Sequence, residues 1–375
     1  MSAPAPPRGP ARWRAAAAGP FVALLMVVAA TIAVNDQGLP LRDPDHVAAL
    51  YLGLVGFAVV AFVGLDVLWR AGARPGRPLP SKAELLRVRR ERWTPLRAVA
   101  AGGALVGFYL SYMAYRNVKS IVPLVRPEHL FDRELADWDR ALFFGTDPAE
   151  LLHSVLGTGI TSHVLSTFYV AFIVFLPLTI GVSLVFSRDL RSGLFYTCAQ
   201  SLNWVLGALS YFALPSLGPI YAFRGDFAGL PYTEVTRLQG VLLDQRIAFL
   251  RDPATATPQS IAAFASLHVS MSFTAALAAH LVGADRRLKI ALWVWFVVTL
   301  TGTVYLGWHY VLDDIAGMAL GAAALGIARL LTGIDLRAVR RGGAAERERR
   351  DGTAVAGDPE EAAGRSDGTA AAPAD

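Results

Sequence analysis

The chain has 375 residues, 54% of them hydrophobic and only 17% charged. Soluble domains carry about 25% charged residues, and the apolar residues here come in long unbroken runs, which excludes a soluble globular enzyme and a disordered chain. The formal net charge of +5 does not mark a nucleic-acid binder, because the basic residues are confined to short stretches between apolar runs, the pattern of cytoplasmic loops.

A bilayer span takes roughly 20 apolar residues. Eight runs approach this, near 19–34, 46–69, 98–116, 163–187, 194–214, 262–283, 290–307 and 309–332. They predict an all-α polytopic transmembrane bundle of about eight spans. Residues 1–18 form a basic cytoplasmic arm. The run after it reads as a retained signal-anchor span, with a cleaved signal peptide as the alternative. The loop 70–97 carries nine basic residues against two acids, and SRDLRS (187–192), DRRLK (285–289) and LRAVRR (336–341) are basic too. Basic loops alternate with neutral or acidic ones, so both termini are expected in the cytoplasm of a multi-pass cell-membrane protein.

Two segments on the outer side are too long to be turns. Residues 117–161 hold seven acids and four basic residues, and DRELADWDRALF spaces Leu135, Trp138, Leu142 and Phe143 as in an amphipathic helix lying at the interface. Residues 215–260 are rich in Pro and Gly, and a long ordered loop in a compact membrane protein is usually functional. The N-terminal spans, 19–160, thus precede a core at 161–335. Residues 336–375 read as a disordered cytoplasmic tail, because 342–375 lack any hydrophobic pattern. The single cysteine, Cys198, falls inside a span and is expected only to pack.

Seven histidines are present, and only His309 has an acid four residues on, Asp313. On a helix this spacing puts both side chains on one face, where the carboxylate can hold one ring nitrogen and leave the other free to attack. Asp314 is expected either to support the site from behind or to face solvent. His268 lies at the opening of the sixth span, two residues after Ser266, and a helix N-terminus there would expose amides suited to phosphate. By topology His268, His309 and Asp313 fall on the same, outer, membrane surface.

Ser266-Leu267-His268 and GWHYVLDDIAG (307–317) resemble the second and third signature motifs of the type 2 phosphatidic acid phosphatase superfamily. Ser-Leu-His in place of Ser-Gly-His is most similar to its aureobasidin-resistance branch, which includes inositol phosphorylceramide synthases. The resemblance covers roughly 160–332. It implies a phosphoric ester hydrolase or phosphotransferase without cofactor or metal, acting on a lipid phosphate at the outer face. His309 would form a phosphohistidine, Asp313 would orient it, and His268 would protonate the leaving group and then activate water or an alcohol acceptor. Ser266 would hold phosphoryl oxygens.

There are departures from the family pattern. Thr303 stands where an Arg is usual, six residues before His309. The first motif, Lys-x6-Arg-Pro, occurs as Lys119 to Arg126-Pro127 but two spans early; the matching segment, 215–223, has no Lys or Arg. Lys119 and Arg126 are therefore either displaced phosphate ligands or interfacial charges. A transporter would need polar groups at the midplane, for which Gln200 and Asn203 are the candidates. A catalytically dead scaffold conflicts with the intact motifs, and no HExxH supports a metalloprotease.

Overall fold

Every one of the eight apolar runs forms a helix. The computed structural model describes residues 11–73, 79–187, 189–258 and 261–342; the expectations for residues 1–10 and 343–375 lie outside the described residues. Among the described residues, thirteen α-helices precede a short helical stretch at 336–342: α1 (Ala11–Asp36), α2 (Val47–Arg70), α3 (Lys82–Arg92), α4 (Pro95–Val125), α5 (Asp132–Leu142), α6 (Pro148–Leu156), α7 (Ile160–Phe186), α8 (Leu190–Ala213), α9 (Pro219–Ala222), α10 (Glu234–Arg251), α11 (Leu267–Leu281), α12 (Arg286–Tyr305) and α13 (Val311–Thr332). Six of these, α1, α2, α4, α7, α12 and α13, are long and apolar enough to cross a membrane, so the chain is a membrane protein built as a helical bundle.

The other two runs depart from a simple span in different ways. Helix α11 has 15 residues, about 22 Å at 1.5 Å per residue, short of the roughly 30 Å hydrocarbon core. Helix α8 has 24 residues, but buries Thr197, Gln200, Ser201 and Asn203 at its centre. Asn203 Nδ2 donates to Gln200 Oε1 and Thr274 Oγ1, each at 3.0 Å, and Ser270 Oγ donates to Asn203 Oδ1 at 2.7 Å. Gln200 Nε2 donates to the Met271 carbonyl and the Tyr196 hydroxyl. These amides bind α8 to α11 instead of lining a path. Around α8 pack α1, α4, α7, α11 and α13, and Cys198 is fully buried there.

In the N-terminal half the helices extend beyond the apolar runs read from the sequence. Residues 11–18, read as part of the arm, are the first turns of α1. The basic loop contains helix α3, capped by Ser81 and Glu84; residues 74–78 lie outside the described ones. Helix α4 does not stop near 116 but continues through Pro123 to Val125, which makes Lys119 a helical residue and Arg126 the residue that closes the helix. In the C-terminal tail, residues 336–342 are helical.

The bundle has two distinct ends. At one, Arg14 of α1 donates to the Leu330 and Leu331 carbonyls in the last turn of α13, at 2.7 and 3.1 Å, a cation placed where a helix leaves its carbonyls unpaired. Arg70 and Arg92 share the buried Asp66 at the same end. At the opposite end, the starts of α11 and α13 meet the ends of α8 and α12. Helices α11 and α13 touch there backbone to backbone, since a Cβ on Gly317 would stand 2.4 Å from the Ser266 carbonyl oxygen. Gly317→Ala should therefore push the two helices apart, costing about 1–3 kcal/mol, and is expected to lower the thermal unfolding midpoint in detergent; an unchanged midpoint would show that the contact is loose.

Candidate active site

The turn between α12 and α13 carries His309. Gly307 and Gly218 both adopt positive φ, 72° and 98°. At Gly218 a Cβ would lie 2.4 Å from the Trp308 carbonyl, so the 215–218 segment can press against the 307–310 turn only because this residue has no side chain. The Ile220 amide donates to the Gly307 carbonyl at 2.8 Å. The proline- and glycine-rich segment singled out in the sequence thus forms one wall of the histidine turn.

His309 is 6% exposed and Asp313 fully buried. His309 Nδ1 lies 3.3 Å from Asp313 Oδ2, and the same oxygen accepts the Tyr310 amide at 3.1 Å. The spacing predicts a pair along one face of a helix. Instead α13 begins only at Val311, and Asp313 reaches back from its first turn to the residues before it, as a capping carboxylate does. Asp313 Oδ1 has no hydrogen-bond partner.

The His268 and His309 ring centroids are 6.2 Å apart. His268 is held by aromatic faces, stacked on Tyr169 at 4.5 Å and tilted against Phe172 at 4.5 Å. Tyr169 stacks in turn on Trp308 with an interplanar angle of 2°. Nothing in the sequence marks this aromatic support, because Tyr169 lies among ordinary apolar residues of α7.

Ser266 caps α11, its hydroxyl accepting the Val269 amide at 3.4 Å and its own amide donating to the Asp313 carbonyl at 3.0 Å. It is fully buried and joins the two motifs through the backbone. Asp314 does not face solvent: it is 1% exposed and accepts from the Thr303 hydroxyl at 2.9 Å. Thr303 thus braces α12 against α13.

The two proposed cations separate. The Lys119 ammonium sits over the Tyr115 and Tyr211 rings, 5.8 and 5.9 Å from their centroids, and is near enough to act electrostatically on both His268 and His309. Arg126 is exposed, and its guanidinium donates to the Phe212 carbonyl at 2.6 Å; the structure does not draw it to the histidines. Arg246 is a further cation of this end, donating to the Ile261 carbonyl at 3.2 Å and interacting with Asp132 and Lys119. Among the described residues, no group of three or more His, Cys, Asp or Glu side chains is arranged to hold a metal ion.

Helix α5 is present as predicted, and acids as well as Leu135 lie on the face it turns into the bundle. Leu135 is buried, whereas Trp138 and Leu142 are about half exposed. The face turned inward carries Asp132 and Asp139, 6% and 3% exposed. Asp139 accepts the Val311 and Leu312 amides at 2.7 and 3.1 Å. Asp132 accepts the Leu217 and Gly218 amides and the Tyr310 hydroxyl, at 2.8–3.0 Å.

Burial raises the Asp132 carboxyl above the usual range, and lifts that of Asp139 to about 6 although two amides oppose the shift and only Asp147 assists it. A carboxyl that holds its proton more tightly when folded favours the folded state most at low pH. That contribution is lost as pH rises from about 4, the unfolded value, through the folded one. The thermal midpoint of the wild type minus that of Asp139→Asn should accordingly fall between pH 4 and 6 and level off above. A difference flat across this range would show an unshifted carboxyl.

A family model described as the PAP2 superfamily matches residues 133–327, just over half of the chain. It starts in α5 and ends in α13, so it takes in both histidines. Comparison with curated proteins and with solved structures gave no match.

Proposed function

This chain belongs to the PAP2 (type 2 phosphatidic acid phosphatase) superfamily, whose members are phosphoesterases, and on that premise we propose that it cleaves or transfers the phosphoryl group of a lipid phosphate through a phosphohistidine. The observation that carries the reading is the His268–His309 pair, 6.2 Å apart, with His309 backed by the buried Asp313. A phosphoryl group placed between the rings would meet a nucleophile on one side and a proton donor on the other.

In the first step the free nitrogen of His309 attacks phosphorus, the P–O bond to the lipid breaks, and His268 gives its proton to the departing alkoxide. In the second, His268 takes a proton from water or an alcohol, whose oxygen attacks phosphorus as the P–N bond breaks. Asp313 keeps the proton on Nδ1 and stabilises the charge that grows on the ring. An anionic phosphate in a partly desolvated site needs compensating charge. Lys119 is the better placed of the two cations expected from the sequence, and Arg126 is left to close α4. Amides at the start of α11, which Ser266 caps, would face phosphoryl oxygens.

The distribution of basic loops supports an extracytoplasmic position for this end of the bundle, with both termini in the cytoplasm and the substrate entering from the outer leaflet. Ser-Leu-His and Thr303 favour the aureobasidin-resistance branch, whose inositol phosphorylceramide synthases transfer a headgroup to a lipid alcohol. The chemistry is read as metal-independent.

Release of phosphate from dioctanoyl phosphatidic acid in detergent tests the reading. His309→Ala and His268→Ala should each lose at least about a hundredfold in kcat while remaining folded; full activity in His309→Ala would end the phosphohistidine mechanism. Lys119→Ala should raise KM more than Arg126→Ala does. Activity is expected to survive excess EDTA, and dependence on added Mg²⁺ or Zn²⁺ would place the enzyme in another class. Mass spectrometry of the products with candidate alcohols present separates transfer from hydrolysis.

A further inference from the structure

A helix starts with amides that have no partner within the helix, and a side chain at the N-cap usually meets this need. Helix α13 is started differently. Its N-cap is Tyr310, whose hydroxyl is bound to Asp132. The first two amides of the helix, Val311 and Leu312, are taken by Asp139, 172 and 173 residues earlier in the chain. The next residue is Asp313, which holds the Tyr310 amide and His309 Nδ1 on one oxygen.

Resting on the phosphohistidine reading, we propose that Asp139 and Asp132 of α5 are positioning residues for the reaction, setting the His309 ring through the first turn of α13. The path is short and made of hydrogen bonds: Asp139 to the Val311 and Leu312 amides, along one turn to Asp313, and from its carboxylate to His309 Nδ1. Asp132 fixes the same turn from the other side. It holds Tyr310, the neighbour of His309, and the Leu217 and Gly218 amides, whose segment lies against the Trp308 carbonyl. The His309–Asp313 contact of 3.3 Å is already long for a charge-assisted hydrogen bond, about 2.7–2.9 Å, so a loosened first turn would lose it. Misplacement of about 1 Å at a reacting group can cost a hundredfold in rate.

The test is a double-mutant cycle. Phosphate release from radiolabelled dioctanoyl phosphatidic acid is measured for the wild type, Asp139→Ala, Asp313→Ala and the double variant, with kcat normalised to folded protein. Asp139→Ala should lower kcat by at least about tenfold while KM moves less than about threefold, because only the geometry of the chemical step is disturbed. In the Asp313→Ala background the same substitution should cost less than about twofold, since the group it acts through is gone. Asp139→Asn, which keeps an acceptor for one amide, should recover part of the loss. Losses that simply add, or a lowered thermal midpoint with kcat of the folded protein intact, would reduce α5 to a structural clamp and overturn the proposal. Should Asp139→Ala not fold, Asp132→Asn run through the same cycle must show the same non-additivity. Full activity in His309→Ala would overturn the phosphohistidine reading itself, whereas an inactive His309→Ala with an additive cycle overturns only the role of α5.

Discussion

Two carboxylates buried beneath a helix of eleven residues hold the histidine end of this bundle together. A carboxylate taken out of water is costly unless its oxygens are hydrogen-bonded. Asp132 and Asp139 are both bonded, to main-chain amides and one hydroxyl drawn from 215–218 and 310–312. The Phe131 amide adds a bond to the Pro215 carbonyl. Asp132 is satisfied only when 217–218 and Tyr310 are both in place, and Asp139 only when 311–312 is, so α5, the proline-rich wall and the start of α13 form a single unit. That unit governs where Asp313 points, how His309 is turned, and how closely Trp308 approaches Gly218.

Both ends of the bundle are tied by charged side chains bonded to main-chain groups. At the end holding the start of α1 and the last turn of α13, guanidinium groups serve as donors to free carbonyls, as Arg14 does on α13, Arg92 on the Ser187 carbonyl and Arg97 on carbonyls of 184–187. At the histidine end Asp132 and Asp139 accept free amides, while Arg126 and Arg246 donate to the Phe212 and Ile261 carbonyls. Helix α13 is held by an arginine at its last turn and an aspartate at its first, each where the helix macrodipole favours it.

The spans are legible in the sequence because a membrane helix must be apolar over its length, and that requirement is written residue by residue. Runs are bounded less well than they are located. Helix α4 runs through Pro123 to Val125, and that extension makes Lys119 a helical residue and leaves Arg126 to close the helix. His309 and Asp313 are recognisable from their spacing, but their contact arises from a capping turn and not from the helical face the spacing suggests. Asp132 and Asp139 leave no signal. Their partners are backbone amides, which every sequence contains, and a run of charges punctuated by Leu135 and Trp138 reads as a surface helix whichever face turns inward. The aromatic support of His268 is hidden for a similar reason, since Tyr169 and Phe172 look like any residues of a span.

Helix α8 carries a consequence for how the protein is made. Its central amides would be only partly paired if it entered lipid alone, where unsatisfied polar groups have no water to turn to. Their partners Ser270, Met271 and Thr274 lie 67 to 71 residues further on and leave the ribosome only after the whole 215–260 segment. Until then α8 has Tyr196 on its own surface as a partner for Gln200, and Thr179 of α7 reaches that tyrosine at 2.8 Å. The nascent α7–α8 hairpin therefore carries an incomplete polar seam that has to be sheltered by the insertion machinery, and the arrival of α11 is the event that closes it.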